Sequence, residues 1–244
     1  MHANYPDLKG RTALVTGASS GIGRGIAQAL EAQGMRVGWH FRSQEPPGEI
    51  KLQADLGSEQ GCMKLAEQAW EKLGGVSLLV HSAGIWNDGA IATLSSAKLE
   101  EMFRVNTFSA FYLIRELLPA SLHNIVFIGS TAGQRGEPGH SHYAASKGAL
   151  QSMMMSLAVE LAPEVRSNIV SPGWVRTPMT EKTLEDIGPA LIPTLPNQRV
   201  AEIDDVVNAV LYLASDASSH LLGQDLCVSG GALLVVPRGQ VRPA

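Results

Sequence analysis

The chain has 244 residues, of which 45% are hydrophobic and 17% are charged, and its formal net charge is −4. This composition is typical of one folded domain with a sizeable core, and the charge gives no electrostatic basis for binding nucleic acid. The two cysteines form no C-x-x-C pair, which argues against a disulfide framework or a thiolate zinc site. Because no apolar run approaches the ~18 residues of a membrane span and no signal-peptide pattern is present, we expect a cytoplasmic protein without a membrane partner.

Short aliphatic and β-branched runs alternate with longer amphipathic stretches. Six runs indicate strands, at residues 12–15, 36–40, 77–80, 125–128, 168–170 and 226–228. This alternation predicts an α/β fold of the Rossmann type, a doubly wound parallel sheet with helices on both faces. We expect a single domain over residues 9–236, preceded by an extension (1–8) and followed by a tail (237–244) that is either disordered or a partner contact.

A glycine-rich turn follows the first predicted strand. The residues Thr16-Gly17-Ala18-Ser19-Ser20-Gly21-Ile22-Gly23 lead directly into an apolar helix pattern. Glycines at such a turn let a pyrophosphate approach the backbone amides and the positive end of the helix dipole. The turn therefore predicts a dinucleotide site rather than an ordinary tight turn. The residues that we expect to contact the cofactor here are Gly17, Ser19, Ser20, Gly21, Ile22 and Gly23.

The end of the second strand indicates which nicotinamide cofactor is preferred. A carboxylate there would bind a ribose 2′-hydroxyl, whereas an arginine pairs with a 2′-phosphate. The chain has Arg42 and no acidic residue at this point, which favours NADP(H) over NAD(H), unless Arg42 is only a solvated loop residue. Asp55, followed by Leu56, is placed where its carboxylate accepts from the adenine amino group or caps a helix that starts near Ser58.

Two connecting segments depart from the regular alternation. Residues 43–49 are too short and too rich in helix breakers for a crossover helix, so we expect a loop or a single turn. Residues 178–198 contain three prolines among apolar residues and predict an irregular, mobile flap over a pocket, or else a plain surface connection.

Tyr143 and Lys147 are four residues apart, thirteen residues after a serine, Ser130, that closes an apolar strand. Residues at i and i+4 share one helix face, so the Lys147 ammonium is placed within electrostatic reach of the Tyr143 phenol. A nearby cation favours phenolate, which predicts a lowered pKa for Tyr143 and a proton-donating site. A tyrosine and lysine at this spacing also occur on ordinary helix surfaces, so the rest of the chain must decide.

Several motifs occur here in the order and spacing of the short-chain dehydrogenase/reductase family. They are Thr16-Gly17-x-x-x-Gly21-x-Gly23, Asp55, Asn106, Ser130, Tyr143-x-x-x-Lys147, Pro172-Gly173-x-x-x-Thr177 and the C-terminal stretch Gly223-Gln224-Asp225-Leu226-Cys227-Val228-Ser229-Gly230-Gly231. The chain resembles this family from about residue 9 to 234. It is most similar to the 3-oxoacyl-acyl-carrier-protein reductase-like branch.

The resemblance implies a role for each matching residue. Tyr143 would protonate a substrate carbonyl oxygen as hydride arrives from the nicotinamide, and Ser130 would orient that oxygen. Lys147 would hold the ribose hydroxyls, and Asn106 would anchor a water that connects Lys147 to solvent, unless it only fixes a helix kink. The resemblance places Pro172, Gly173, Val175 and Thr177 around the nicotinamide and implies a homotetramer or homodimer.

The chain departs from the family in two places. Where the family usually has Asn-Asn-Ala-Gly, this chain has His81-Ser82-Ala83-Gly84. Ala83 and Gly84 still permit close approach of the cofactor, but hydrogen bonds from the asparagines must be replaced or lost. The second departure is the missing helix after residue 43, which removes cover from the adenine side.

Three functions remain open from the sequence. The first is a reductase of a 3-oxoacyl thioester, although Ser121-Leu122-His123-Asn124 offers an acidic carrier protein no Arg or Lys. The second is a reductase or dehydrogenase of a free ketone, sugar or polyol. The third is a non-catalytic NADP(H) sensor, which would have no need for the acid. His140 and His142 have no visible third metal ligand and are interpreted as pocket-wall or loop residues, with contact to the substrate as the alternative.

Overall fold

The computed structural model describes residues 2–119 and 121–234. The predicted tail at 237–244 lies outside the described residues. The strands are β1 (Thr12–Val15), β2 (Arg36–Phe41), β3 (Ile50–Gln53), β4 (Leu78–His81), β5 (Asn124–Ile128), β6 (Arg166–Pro172) and β7 (Asp225–Val228). They form one parallel sheet in the order β3-β2-β1-β4-β5-β6-β7. The predicted doubly wound α/β fold is confirmed.

All six predicted strands are present, with ends shifted by one or two residues, but a seventh strand was not predicted. This strand, β3, pairs with the outer edge of β2. It has four residues, and only Leu52 among them is buried, so its sequence carries little hydrophobic alternation. The segment between β2 and β3 contains no helix, as predicted.

Eight α-helices flank the described strands: α1 (Gly21–Ala32), α2 (Glu59–Leu73), α3 (Ser96–Phe103), α4 (Ser109–Leu117), α5 (Thr131–Arg135), α6 (Ser141–Glu160), α7 (Glu181–Leu191) and α8 (Ile203–Ala214). The prediction of an irregular flap over 178–198 was wrong, because α7 occupies its centre. Pro189 lies near the end of α7, and Leu184 anchors the helix in a small apolar cluster with Leu195 and Val200. None of the helices in the described ranges is long and apolar enough to cross a membrane.

The two faces of the sheet carry separate hydrophobic cores. Leu14 of β1 and Phe127 of β5 point to one core, whereas their neighbours Val15 and Val126 point to the other. Parallel strands buried on both faces are apolar at consecutive positions, which is why the sequence shows continuous aliphatic runs. The helices α2, α4 and α6 cover the first face, and α1 and α8 cover the second.

The strand order reverses at β1, which lies between β2 and β4. In open parallel sheets, ligands bind in the crevice outside the carboxyl ends of the strands at such a reversal. The glycine-rich turn follows β1, residues 82–84 follow β4, and Ser130 follows β5. The fold therefore brings motifs that are far apart in sequence to one edge of the sheet.

Candidate active site

A cleft of about 350 Å³ lies at this edge of the sheet. It is lined by almost every residue predicted from the sequence to bind cofactor or to act in catalysis. These residues are Gly17, Ser19, Ser20, Gly21, Ile22, Gly23, Arg42, Asp55, Leu56, Ser82, Ala83, Gly84, Ser130, Tyr143, Lys147, Pro172, Gly173, Val175 and Thr177. The exception is Asn106, which is buried and does not line the cleft.

The glycine-rich turn has the geometry that a pyrophosphate requires. Gly17 has a φ of +68°, and a Cβ at this position would lie 2.9 Å from the Cα of Ala83, so no other residue fits. Ser20, the N-cap residue of α1, makes no side-chain hydrogen bond to the helix amides. The first amides of α1 are therefore not capped by this side chain and are available to an anion in the cleft.

A buried histidine that sequence reasoning missed braces this turn. The Gly17 amide donates to Nδ1 of His40 at 3.0 Å, and His40 Nε2 lies 3.2 Å from the carbonyl oxygen of Ala54. Since Nδ1 accepts, Nε2 carries the proton and the ring is neutral. Burial lowers the pKa of His40 to about 4. No sequence pattern indicates this role, because His40 lies inside an ordinary strand.

Arg42 and Asp55 also line the cleft. Arg42 is exposed, and its guanidinium forms no ion pair with the described residues. Asp55 does not cap α2, since its Oδ1 accepts from the Gly57 amide at 2.9 Å while Ser58 is the N-cap residue. The helix-cap alternative for Asp55 was therefore wrong, and its cofactor role stays a prediction.

Ser130, Tyr143 and Lys147 converge from two adjacent helices. Ser130 is the N-cap of α5, and Tyr143 and Lys147 occupy the first two turns of α6. The Lys147 Nζ donates to the carbonyl oxygen of Ile128 at 2.9 Å and lies 6.0 Å from the centre of the Tyr143 ring. Both side chains are therefore on the same side of the helix, as the spacing predicts.

The predicted lowering of the Tyr143 pKa was wrong. Burial raises the pKa of Tyr143 to about 12, and interaction with the Ser130 side chain opposes this rise only in part. Burial also lowers the pKa of Lys147 to about 8. The i, i+4 spacing fixes proximity, but burial of each group is the largest cause of its pKa shift.

Asn106 lies in a π-helical turn, Arg104–Phe108, that joins α3 and α4. Its side chain bonds the backbone of Ile85 in both directions, accepting from the amide at 2.8 Å and donating to the carbonyl at 3.0 Å. Ile85 directly follows Gly84, so Asn106 fixes the course of the chain along the cleft. Asn106 therefore lies in a distorted helical turn and also makes buried hydrogen bonds that hold the loop after β4.

His81 replaces the first asparagine of the family pattern and takes part in holding this turn. Its Nε2 lies 2.8 Å from the Ser109 hydroxyl, which donates to the carbonyl oxygen of Val105 at 2.7 Å. The hydroxyl proton is thus used, so His81 Nε2 must be the donor. Burial lowers the pKa of His81 to about 3, with a smaller contribution from Lys147.

The histidines near Tyr143 lie behind the walls of the site. The ring of His140 stacks on Trp86 with centroids 4.7 Å apart, and His142 Nε2 lies 2.9 Å from Asn87 Oδ1. Neither imidazole lines the cleft. They therefore support the loop after β4. His140 lies in a loop, as predicted, but the predicted pocket-wall position is wrong for both side chains.

The family follows from comparison with known proteins. A family model described as Enoyl-(Acyl carrier protein) reductase matches residues 17–232. The chain belongs to the short-chain dehydrogenase/reductase family. It is therefore an oxidoreductase that interconverts a carbonyl and an alcohol with a nicotinamide cofactor.

Relatives of this short-chain dehydrogenase/reductase include Nodulation protein G of Rhizobium sp. (strain N33), 35% identical, with 94% of this chain and 99% of that protein covered. The 3-oxoacyl-[acyl-carrier-protein] reductase FabG of Escherichia coli (strain K12) is 31% identical, with 94% and 100% covered. Among solved structures, a short-chain dehydrogenase/reductase from Brucella melitensis, titled Glucose/ribitol dehydrogenase, has a TM-score of 0.90 at 32% identity, covering 96% and 100%. The aldohexose dehydrogenase of Thermoplasma acidophilum has a TM-score of 0.90 at 29% identity, covering 98% and 100%.

Proposed function

We propose that this protein is an NADP(H)-dependent reductase of a carbonyl compound, or a dehydrogenase of the corresponding alcohol, in which Tyr143 is the proton donor. The observation that carries the proposal is the convergence of Ser130, Tyr143 and Lys147 on a cleft that also contains the glycine-rich turn. A protein that only sensed the cofactor would have no use for this acid.

Each side chain has a distinct task. The Ser130 hydroxyl donates to the carbonyl oxygen and orients it, and Tyr143, which burial keeps protonated at neutral pH, delivers a proton to the same oxygen. Lys147 holds the ribose hydroxyls and stabilises the phenolate that forms. Asn106 orders the chain beside Lys147 and anchors a water there. When bound, the cofactor supplies or accepts hydride at the carbonyl carbon.

Arg42 supports NADP(H) as the preferred cofactor. Its exposed guanidinium lines the cleft, pairs with none of the residues that the structure describes and suits a 2′-phosphate. Charge-assisted hydrogen bonds of this kind contribute roughly 1.5–3 kcal/mol. We expect Arg42→Ala to raise the Kd for NADPH about tenfold and to leave the Kd for NADH within about twofold, measured by fluorescence titration. Arg115→Ala, an exposed arginine of α4 that does not line the cleft, is the control. Equal effects of Arg42→Ala on both nucleotides would remove the 2′-phosphate role.

Two substrate classes remain, and different relatives support them. The 3-oxoacyl-[acyl-carrier-protein] reductases support a thioester, and the structural neighbours named for glucose, ribitol and aldohexose support a free small molecule. The absence of Arg and Lys from 121–124 weakens docking of an acidic carrier. NADPH oxidation with a panel of free ketones, sugars and a 3-oxoacyl thioester decides between them. Tyr143→Phe must lose turnover while it keeps NADPH affinity; an unchanged rate would remove the acid role.

We also propose that the protein is a homodimer or homotetramer. Large apolar side chains are exposed at two places: Phe108 of the π-helical turn with Phe111 of α4, and Met155 with Val159 of α6. Exposed apolar side chains of this size are typical of an interface between subunits. Light scattering of the wild type and of Phe111→Glu tests the proposal, and a monomeric wild type would contradict it. A cytoplasmic location and the limits of the domain at 9–236 stay predictions.

A further inference from the structure

A second cavity, of about 80 Å³, opens from the catalytic end of the cleft. It shares Ser130, Tyr143 and Gly173 with the cleft, and its remaining wall includes Trp86 and Trp174. A carbonyl oxygen at Ser130 and Tyr143 places one substituent of the carbonyl carbon at the mouth of this cavity. The walls of the cavity therefore determine which substituent is accepted.

The two tryptophans form an aromatic corner. Their ring centroids are 6.1 Å apart and their planes meet at 84°, which is a favourable edge-to-face arrangement. One face of Trp86 is covered by the parallel ring of His140. Trp174 packs against the Leu184 cluster of α7 and its carbonyl accepts from the Ala201 amide at 2.9 Å. Both indoles are thus held in place from behind.

A rigid aromatic corner favours a rigid guest. A ring keeps its conformation on binding, whereas a linear acyl chain loses rotational freedom when it is confined against fixed walls. At roughly 30 Å³ for each water-sized group, the cavity holds about three such groups, so it takes one edge of a ring whose remaining atoms lie in the adjoining cleft.

The charges at the cavity do not favour an ionic substrate. Arg135 and Glu137 are the charged side chains that line it, and they have opposite signs. Arg135 is also occupied, since its Nη1 donates to the carbonyl oxygen of Ala232 at 3.2 Å. An anionic group, such as the phosphate of a carrier arm, therefore gains no net attraction at this wall.

We propose that Trp86 and Trp174 determine specificity and that the substrate is an uncharged small molecule whose carbonyl or alcohol carbon belongs to, or is attached directly to, a ring. The proposal rests on the proposed reductase function. It assigns the substituent that the aromatic corner recognises, and it selects the free small molecule over the linear thioester.

The test compares ring and linear ketones of similar size. We would measure kcat/KM with NADPH for cyclohexanone, acetophenone, 2-hexanone and a short linear 3-oxoacyl thioester. A favourable contact between two aromatic rings is worth about two- to tenfold in affinity, so we expect acetophenone to exceed the linear ketones in kcat/KM by about that factor and cyclohexanone to exceed them by a smaller factor. Trp174→Leu and Trp86→Leu should each remove most of this preference and change kcat/KM for 2-hexanone by less than about threefold.

Trp70→Leu is the matched control, because Trp70 is a half-exposed residue of α2 that lines neither cavity. Trp70→Leu should leave kcat/KM unchanged for every substrate, and all variants should keep the wild-type Kd for NADPH. Equal or better turnover of the linear ketone or thioester would overturn the proposal. Equal losses on ring and linear ketones in the Trp174 and Trp86 variants would also overturn it.

A binding measurement separates this proposal from the reductase function. Saturation-transfer NMR on the Tyr143→Phe protein with NADPH reports whether cyclohexanone binds, and the added Trp174→Leu change should abolish its signal. Binding without turnover by the wild type on any carbonyl would reject the reductase and keep the ring site. Absence of cyclohexanone binding would reject the ring site, whatever the enzyme reduces.

Discussion

The two buried neutral histidines at the site make the fold sensitive to acid. His40 and His81 have pKa values of about 4 and about 3, against 6.5 for an unperturbed histidine. Between these values the unfolded chain takes up a proton at each residue and the folded protein does not. Stability is therefore full above pH 6.5 and is lost as the pH falls from 6.5 towards the folded pKa values.

The size of the loss follows from the same values. A pH of 5.5 is about one unit below the pKa of an unfolded histidine, which is then mostly protonated, and at pH 7.5 the same residue is almost unprotonated. One pH unit corresponds to about 1.4 kcal/mol, so each residue lowers the free energy of unfolding by roughly 1 kcal/mol between pH 7.5 and 5.5. The folded state contributes almost nothing to this difference, because both residues stay neutral at pH 5.5.

The assay is urea unfolding at pH 7.5 and 5.5. The protein concentration is fixed, so that any contribution of subunit association to stability is the same in every measurement. His40→Gln and His81→Gln should each reduce the difference in unfolding free energy between the two pH values by roughly 1 kcal/mol, whatever they do to stability at pH 7.5. His220→Gln, an exposed histidine, is the control. A pH difference equal to that of the wild type in both buried variants would refute the neutral-histidine reasoning.

Three further results are expected. The kcat/KM for carbonyl reduction should fall above pH 8, where Lys147 loses its charge, and ionisation of Tyr143 should add no decline below pH 12. A flat pH profile from pH 7 to 10 would contradict the role of the Lys147 ammonium. His81→Leu should lower kcat about tenfold with little change in the KM for the carbonyl substrate, because the Ser109 hydroxyl loses its hydrogen-bond donor. His81→Gln should restore most of the lost kcat. Equal kcat in both variants would argue against a positioning role for His81. Ser58→Ala removes the N-cap bond to the Gly61 amide at 3.1 Å and should cost about 1 kcal/mol in urea unfolding without affecting NADPH affinity.

The sequence predicted which residues line the candidate cleft because most of them belong to short local patterns. A glycine-rich turn after a strand and a tyrosine and lysine at i, i+4 have a defined geometry within one element or one junction. The parallel sheet then brings the ends of β1, β4 and β5 together without further information. The position of Arg42 at the cleft was predictable for the same reason, since Arg42 follows a recognisable strand.

The parts that the sequence did not predict depend on contacts between distant segments. His40 contacts Gly17 across the sheet, and Trp86 meets Trp174 from a loop 88 positions earlier in the chain. The helix α7 forms despite Pro189, because Leu184 packs with apolar residues beyond its end. Tertiary packing overrides local propensity at such places.

The error in the Tyr143 pKa has a physical consequence. Burial disfavours the phenolate of Tyr143 and the ammonium of Lys147 when either charge is present alone. Opposite charges inside a cleft stabilise one another more than they would in water, so the phenolate that follows proton donation is least unfavourable while Lys147 is charged. The site therefore needs the ammonium before the proton moves. Because of this coupling, activity should be lost as Lys147 deprotonates near pH 8, although the proton donor itself is Tyr143.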